Sequence, residues 1–262
     1  MSVQKFFSKW HRSIAKRVPG IRQPVAVGNR RIADPHKVRF SLPSMKLAEV
    51  LPGSDEAEVA FLPRLIRTHK WAMPEHELIT LGAIAKALQP RFVVEIGTFL
   101  GGSTIAIASN MPEQGRLITF DIDPSKRKTH VHGLGVGVPD FDVGCLFRGT
   151  RYERMIEQRF SHSENFAHQD LLGKADLVFV DADHTYDFVK EDTKQAVRLL
   201  KTGGSIIWHD YTWEPSSSEC VGVTQAVNEF QEEFGGCCQI EGTRFAIYTP
   251  SLLADQTRYT AA

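Results

Sequence analysis

Cysteine is scarce in this sequence, with four residues among 262. The four form no C-x-x-C pair and show no spacing typical of a disulfide framework, so a disulfide-stapled secreted fold is not indicated. The same scarcity favours a reduced, intracellular protein, and we expect a cytoplasmic location.

Long apolar runs and net charge are lacking as well. No apolar stretch approaches the length of a membrane span, and no charged-then-apolar signal segment opens the chain. The 31 basic and 31 acidic residues give a formal net charge of zero, so the whole molecule is no electrostatic trap for nucleic acid. With 42% hydrophobic residues, the chain can nevertheless bury a sizeable core.

Basic residues are concentrated at the beginning of the chain, where eight of them precede the first acid, Asp34. Large apolar residues recur there at every fourth position: Phe6, Trp10, Ile14 and Val18. This spacing predicts an amphipathic helix that docks either on a membrane surface or, as we favour, on the protein's own core or a second subunit. We therefore expect a homo-oligomer, with residues 1–70 forming an N-terminal helical and irregular arm.

From residue 71 onward, short apolar runs alternate with segments of helical periodicity. The predicted strands are RFVVEIG, LITFDID, CLFRG, ADLVFVD and SIIWHD, followed by a hairpin in CCQIEGTRFAIYT. A helix is expected over residues 152–160, between the third and fourth strands. Continuous apolar strands that alternate with helices indicate a parallel sheet covered on both faces. The pattern predicts an α/β fold over residues 71–250, with a doubly wound, Rossmann-like, mostly parallel seven-stranded sheet, a C-terminal β-hairpin and a tail over 251–262.

Two of these strands end in carboxylates and imidazoles. The stretch VFVDADHTY brings Asp181, Asp183 and His184 directly after an apolar run, and SIIWHDY does the same with His209 and Asp210. In a parallel sheet, ligands bind beyond the carboxyl ends of the strands. The two clusters are therefore predicted to form a site, although Asp183 could instead cap the helix that follows it.

A glycine turn follows the first of the strands. The stretch EIGTFLGGST, from Glu95 to Thr104, departs from the G-x-G-x-x-G pattern but allows the backbone to approach a ligand closely. Asp121 ends the next strand, where an acid can accept hydrogen bonds from ribose hydroxyls. No P-loop lysine is present, which disfavours a nucleoside triphosphate.

These segments together resemble a known family. VVEIGTFLGGSTIAIA, LITFDIDP and DLVFVDADHTYDFVKEDTKQAVRLLKTGGSIIWHDY are similar to class I S-adenosylmethionine-dependent methyltransferases. Within that class the closest resemblance is to the metal-dependent small-molecule O-methyltransferases of the catechol, caffeoyl-CoA and antibiotic-sugar types. A related branch resembles cephalosporin hydroxylase-type proteins and shares the same core.

The resemblance implies residues for the cofactor, S-adenosylmethionine. Four would line its methionine part, one would hold its ribose, and two would contact its adenine: Glu95, Gly97, Thr98 and Ser103; Asp121; Gly149 and Thr150.

The resemblance also implies a divalent metal, most simply Mg²⁺. Asp181 and Asp210 match the family's metal-binding carboxylates, but the family usually has Asp-Asp or Asp-Asn at the second strand end. Here His209 precedes Asp210, so one oxygen ligand is missing or replaced by imidazole. His184 and Asp183 stand at the positions of the catalytic base in two branches of the family, and either fits that role.

The expected function is methyl transfer from S-adenosylmethionine to a hydroxyl of a small hydroxylated substrate, assisted by the metal. The alternatives are a hydroxylase-like enzyme on the same core and a non-catalytic S-adenosylmethionine-binding protein.

Overall fold

The structure, a computed structural model, describes residues 38–66, 69, 71–125, 141–161, 168–212 and 220–252. The amphipathic helix predicted from Phe6, Trp10, Ile14 and Val18 and most of the predicted tail lie outside these ranges, so docking of residues 1–31 on a second subunit stays a prediction. Among the helices of the described ranges, none is long and apolar enough to cross a membrane.

One sheet of eight strands organises the described residues. Its strands are β1 (Ser44–Met45), β2 (Phe92–Ile96), β3 (Arg116–Asp121), β4 (Ile156–Phe160), β5 (Ala175–Val180), β6 (Leu200–Trp208), β7 (Cys237–Ile240) and β8 (Ala246–Tyr248). Their spatial order is β1-β7-β8-β6-β5-β2-β3-β4. Strand β8 runs antiparallel to β6 and β7, and every other neighbouring pair is parallel. The mostly parallel sheet and the C-terminal hairpin are thereby confirmed.

Helices cover both faces of the sheet. They are α1 (Leu47–Val50), α2 (Glu75–Leu88), α3 (Gly102–Ala108), α4 (Tyr186–Leu199) and α5 (Val221–Phe234). Neighbouring strand residues alternate between two separate cores: Val93 packs with α2 and α3, whereas Val94 packs with α4 and α5. The inner strands are apolar on both sides for this reason, which is the pattern that a doubly wound sheet requires.

Two details differ from the sequence prediction. The stretch CLFRG forms turns rather than a strand, and the helix expected over residues 152–160 is a short 3₁₀ turn followed by strand β4. Strand β4 lies at the edge of the sheet and carries polar residues, among them Glu157, Gln158 and Arg159, so it lacks the apolar run that marked the inner strands. The eighth strand, β1, is only two residues long. It lies within residues 1–70, which were expected to be helical and irregular, and it pairs with β7.

The chain reverses its direction of winding at β2, which lies between β3 and β5. At such a switch point, the connections leave the carboxyl ends of the two central strands in opposite directions and open a crevice. Gly97 stands at this crevice with φ of +105°, and a Cβ atom there would overlap the carbonyl oxygen of Asp181. Position 97 therefore needs glycine because β2 and β5 meet there, whether or not a ligand is bound.

Candidate active site

The glycine turn is held to the end of β3 by hydrogen bonds to Asp121. The backbone N–H of Phe99 donates to Oδ2 of Asp121 at 2.8 Å, and the backbone N–H of Ile122 donates to Oδ1 at 2.8 Å. Phe99 has a left-handed φ of +50°, which this contact helps to maintain. Carboxylate oxygens can accept more than one hydrogen bond each, so the same group can also receive the hydroxyls of a ribose.

Glu95 lies beneath the turn with its side chain fully buried. Its carboxylate accepts hydrogen bonds from the hydroxyls of Ser103 at 2.6 Å and of Thr104 and Thr119 at 2.5 Å each. Burial raises the pKa of Glu95 to about 7, and the three hydroxyl donors offset only part of that effect. Glu95 and Ser103 thus bind each other, and they support the backbone that a ligand would contact.

Thr98 is almost fully buried and its hydroxyl also lies inside this network. The hydroxyl is 2.6 Å from that of Thr119 and accepts a hydrogen bond from Nε2 of Gln158 at 3.1 Å. The carbonyl oxygen of Thr98 accepts a bond from the N–H of Gly101 at 2.8 Å, which closes the turn. Its contribution in this structure is therefore to the shape of the turn.

The expected adenine contacts at Gly149 and Thr150 depended on a strand that does not form at CLFRG. Both residues precede β4, where the N–H of Gly149 donates to Glu153 and the hydroxyl of Thr150 to the carbonyl of Phe147. The carboxyl end of β4 comes at Phe160 instead, after these two residues in the chain. The positional basis for assigning them to adenine is therefore lost.

At the ends of β5 and β6, the predicted residues Asp181, His184, His209 and Asp210 converge. Nδ1 of His209 lies 3.2 Å from Oδ1 of Asp181 and 3.4 Å from Oδ2 of Asp210. Nε2 of His184 lies 3.0 Å from Oδ2 of Asp210 and 3.9 Å from Oδ1 of Asp181. The two strand ends therefore form one cluster of alternating charge.

Asp183 faces a different partner. Its Oδ1 accepts the N–H of Thr185 at 2.7 Å, immediately before α4 begins at Tyr186. This contact is a local turn that leads into the helix. The N-cap residue is Thr185 and makes no side-chain capping hydrogen bond, so Asp183 orients the chain before α4 without capping it.

Two residues of the cluster, Glu77 and Arg244, were missed by sequence reasoning. Oε2 of Glu77 lies 2.9 Å from Nε2 of His209, and Nη1 of Arg244 donates to Oδ1 of Asp210 over 2.5 Å. Glu77 belongs to the first turn of α2, one helical turn before Leu81. An acid on the apolar face of that helix was the available signal, whereas the hairpin residue Arg244 gave none.

The charges of the cluster shift one another's pKa values. Burial alone would lower the pKa of both histidines, but Asp210 and Asp181 raise those of His184 and His209 well above the usual range. In the opposite direction, burial would raise the pKa of Asp210, yet the two histidines hold it well below its usual range. The group is thus a compact set of paired charges beside the crevice.

The donor set fits a divalent cation. One ligand atom each from Asp181, His209 and Asp210 lies within 4.8 Å of the others, and so does a second set from His184, Asp210 and Cys220. Two carboxylates and an imidazole suit Mn²⁺, Fe²⁺ or Zn²⁺ as well as Mg²⁺. Cys220 is less suited as a ligand, because burial raises the pKa of its thiol to about 11.

Comparison with known families agrees with this fold. Residues 94–211 match the family model described as a methyltransferase domain, a range that runs from β2 past the end of β6. Together with the sheet order and the glycine turn, this match confirms the resemblance seen in the sequence. Residues 94–211 therefore belong to a methyltransferase domain, and the curated proteins that the chain resembles include O-methyltransferases.

Three curated relatives illustrate the similarity. The chain is 32% identical to a catechol O-methyltransferase of Mycobacterium tuberculosis (62% of each chain covered). It is 26% identical to tapetum-specific methyltransferase 1 of Arabidopsis thaliana (60% of this chain, 63% of the relative). With caffeoyl-CoA O-methyltransferase of Pinus taeda the identity is 25% (59% and 57%). The chain thus spans less than two thirds of the length of these relatives.

Solved structures share the fold. The O-methyltransferase TomG of Streptomyces achromogenes, in complex with S-adenosylmethionine, has a TM-score of 0.52 and 18% identity, covering 78% of this chain and 97% of TomG. An O-methyltransferase of Bacillus cereus in complex with S-adenosylhomocysteine has a TM-score of 0.50 and 16% identity, covering 76% and 95%. At these identities the comparison establishes the fold alone.

Proposed function

We propose that this protein transfers a methyl group from S-adenosylmethionine to a hydroxyl of a small molecule, with the help of a divalent cation. The observation that carries the proposal is the convergence of Asp181, His209 and Asp210 beside the glycine turn. Gly97 of the turn abuts the backbone of Asp181, so a cofactor site and a cation site would be direct neighbours.

On the cofactor side, the backbone of the glycine turn would receive the methionine part and Asp121 the ribose. Glu95, Ser103 and Thr98 would act by supporting the turn, because their polar atoms already bind one another or Thr119. Residues held in this way lose little further entropy on binding, which favours a fixed position for the methyl donor.

On the acceptor side, Asp181, Asp210 and Nδ1 of His209 would hold the cation. When bound there, a divalent cation lowers the pKa of a coordinated hydroxyl and orients its lone pair. The acceptor oxygen would then form a bond to the methyl carbon while the carbon–sulfur bond breaks and its electron pair goes to sulfur.

The hydroxyl proton requires a base, and we assign this role to His184. Its Nε2 atom lies 3.0 Å from Asp210 at the cation side of the crevice, whereas Oδ1 of Asp183 is bound to the backbone of Thr185. Without a cation, Asp210 and Asp181 raise the pKa of His184. With a cation on these carboxylates that pKa would fall, and Nε2 of His184 would accept the proton of a hydroxyl coordinated beside it. Asp183 would keep α4 and His184 in place.

The test uses the full chain, S-adenosylmethionine labelled in its methyl group, and a panel of catechols, hydroxycinnamoyl thioesters and hydroxylated sugars. We expect label on an acceptor oxygen with Mg²⁺ or Mn²⁺ present and none with excess chelator. Binding of the cofactor without transfer to any acceptor would favour a non-catalytic binding protein, and a hydroxylated product would favour the hydroxylase-like branch.

A further inference from the structure

Glu77 is the most enclosed charged group of the cluster, with 1% of its surface exposed. Its carboxylate accepts four hydrogen bonds: from Nε2 of His209 at 2.9 Å, and from the backbone N, Nε and Nη2 of Arg244 at 2.8, 3.2 and 2.9 Å. Three of these bonds come from ionisable side chains, and such a buried group of charges is costly to assemble in a protein interior. Because Glu77 contacts His209, a candidate cation ligand, we expect it to do more than pack in the core.

The orientation of His209 follows from this contact. An ionised carboxylate can only accept hydrogen bonds, so Nε2 of His209 must carry the proton that faces Glu77. The other ring nitrogen, Nδ1, faces Oδ1 of Asp181 and Oδ2 of Asp210, so it is the nitrogen that would exchange its proton for a cation held by those two carboxylates. Carboxylates that hold the outer nitrogen of a metal-binding histidine fix its tautomer and ring orientation in this way.

Arg244 extends the same arrangement to the second carboxylate. Its guanidinium binds Glu77 through Nε and Nη2 and Asp210 through Nη1, so one rigid group holds both acids. Oδ1 of Asp210 is occupied by this contact, while Oδ2 faces the imidazoles of His184 and His209. Asp210 has a left-handed φ of +59°, and the guanidinium holds it in that conformation.

We infer that Glu77, supported by Arg244, is a positioning residue that makes His209 a nitrogen ligand through Nδ1 and thereby sets the metal preference of the site. The inference rests on the proposed cation site and adds the identity of the ion. A nitrogen ligand shifts preference from Mg²⁺ toward Mn²⁺, Fe²⁺ or Zn²⁺. The site should therefore bind Mn²⁺ more tightly than Mg²⁺.

The decisive measurement is the affinity of the full chain for Mn²⁺ and for Mg²⁺ by titration calorimetry. In the Glu77→Gln variant, the amide NH₂ would face a donor of Arg244 or of His209 whichever way it is turned, and the negative charge that attracts both groups is gone, so the hold on His209 is weakened. We expect Mn²⁺ affinity to fall about 10- to 100-fold and Mg²⁺ affinity to fall less. The Mn²⁺ to Mg²⁺ affinity ratio should shrink accordingly.

Glu229→Gln is the matched control, because Glu229 is also a carboxylate that accepts several hydrogen bonds, from Tyr186, Lys190 and Gln225, but lies between α4 and α5. The metal affinities of this control should equal those of the unmodified protein.

If Glu77→Gln does not fold, Arg244→Lys removes the guanidinium fork while keeping the charge. That variant should lower Mn²⁺ affinity by about threefold or more.

Making Glu77→Gln in a His209→Asn variant as well as in the unmodified protein distinguishes the loss of His209 positioning from general structural damage. In the His209→Asn variant, an amide oxygen replaces the imidazole, so adding Glu77→Gln should change Mn²⁺ affinity by less than about twofold. An equal loss in both backgrounds, or no loss in either, would overturn the inference. Failure of the proposed function is distinguishable, because the unmodified protein would then bind neither ion.

Discussion

Two buried glutamates, Glu95 and Glu77, lie on opposite sides of the crevice and have opposite pKa shifts. Both are almost fully enclosed, yet the pKa of Glu95 is raised to about 7 while that of Glu77 is lowered to about 2. Burial raises the pKa of each, and the partners decide the outcome. Three hydroxyls surround Glu95, whereas His209 and Arg244 donate to Glu77.

The comparison extends to the two halves of the crevice. At the ends of β2 and β3, polar groups are satisfied by hydroxyls and backbone N–H groups, as at Asp121. At the ends of β5 and β6, charges are paired with opposite charges, as between Asp210 and Arg244. The polar groups of the first half are satisfied without an added charge, whereas the second half is suited to exchange the extra protons of its two imidazoles for a metal cation.

The largest effect should come from Asp181→Ala, which removes a proposed cation ligand from the charged half. We expect methyl transfer to fall to background while affinity for S-adenosylhomocysteine stays within about threefold, because Asp121 and the glycine turn are unchanged. Transfer assays and calorimetry on the same preparation measure both. Activity that persists in this variant and in excess chelator would show that the charged half does not bind a cation that methyl transfer requires.

The next largest effect concerns the base. His184→Ala should reduce the rate of transfer about 10²- to 10⁴-fold, the usual contribution of a positioned base. Asp183→Asn, the control, keeps an oxygen that can accept the N–H of Thr185 and should retain most of the rate. Single-turnover kinetics separate the chemical step from binding. If the Asn variant is the slower one, the two assignments must be exchanged.

Glu95 gives a prediction for stability against pH. The folded state holds its proton up to about pH 7, whereas an ordinary Glu loses it near 4.5, so this group stabilises most below 4.5 and less as the pH rises through 7. The shift corresponds to a loss of about 3 kcal/mol in the free energy of unfolding.

Glu95→Gln should abolish this component, so its free energy of unfolding should vary less than that of the unmodified protein between pH 5 and pH 8. Urea unfolding at several pH values measures the difference. The lowered pKa of Glu77 does not interfere, because its contribution changes only below this range. Parallel curves for the two proteins would contradict a raised pKa for Glu95.

The smallest effect should come from Asp121→Ala in the cofactor half. Loss of a charged acceptor should weaken S-adenosylmethionine binding by about 1.5–3 kcal/mol, measured by calorimetry. Asp121→Asn, which keeps one carbonyl oxygen, should lose less. Unchanged affinity in the Ala variant would mean that the ribose binds elsewhere.

Sequence patterns predicted those features whose signal is local. The glycine turn, Asp121 and the clusters at the ends of β5 and β6 each follow an apolar run, which places them at the carboxyl edge of the sheet. Glu77 is separated from His209 by 132 residues, and Arg244 from Asp210 by 34. Only tertiary packing brings these groups together, so no spacing rule could predict them. Strand β4 was missed because edge strands are not buried on both faces.

The contact of Gly97 with the carbonyl of Asp181 has a consequence for how the site can diversify. The span between the two halves of the crevice is fixed there by main-chain packing, without any side chain acting as a spacer. In the proposed site, one cation ligand could be replaced by another side chain while the distance from the methyl group to the acceptor stays the same. Any side chain at position 97 would push the ends of β2 and β5 apart. The distance between the methyl donor and the acceptor would then increase for every acceptor.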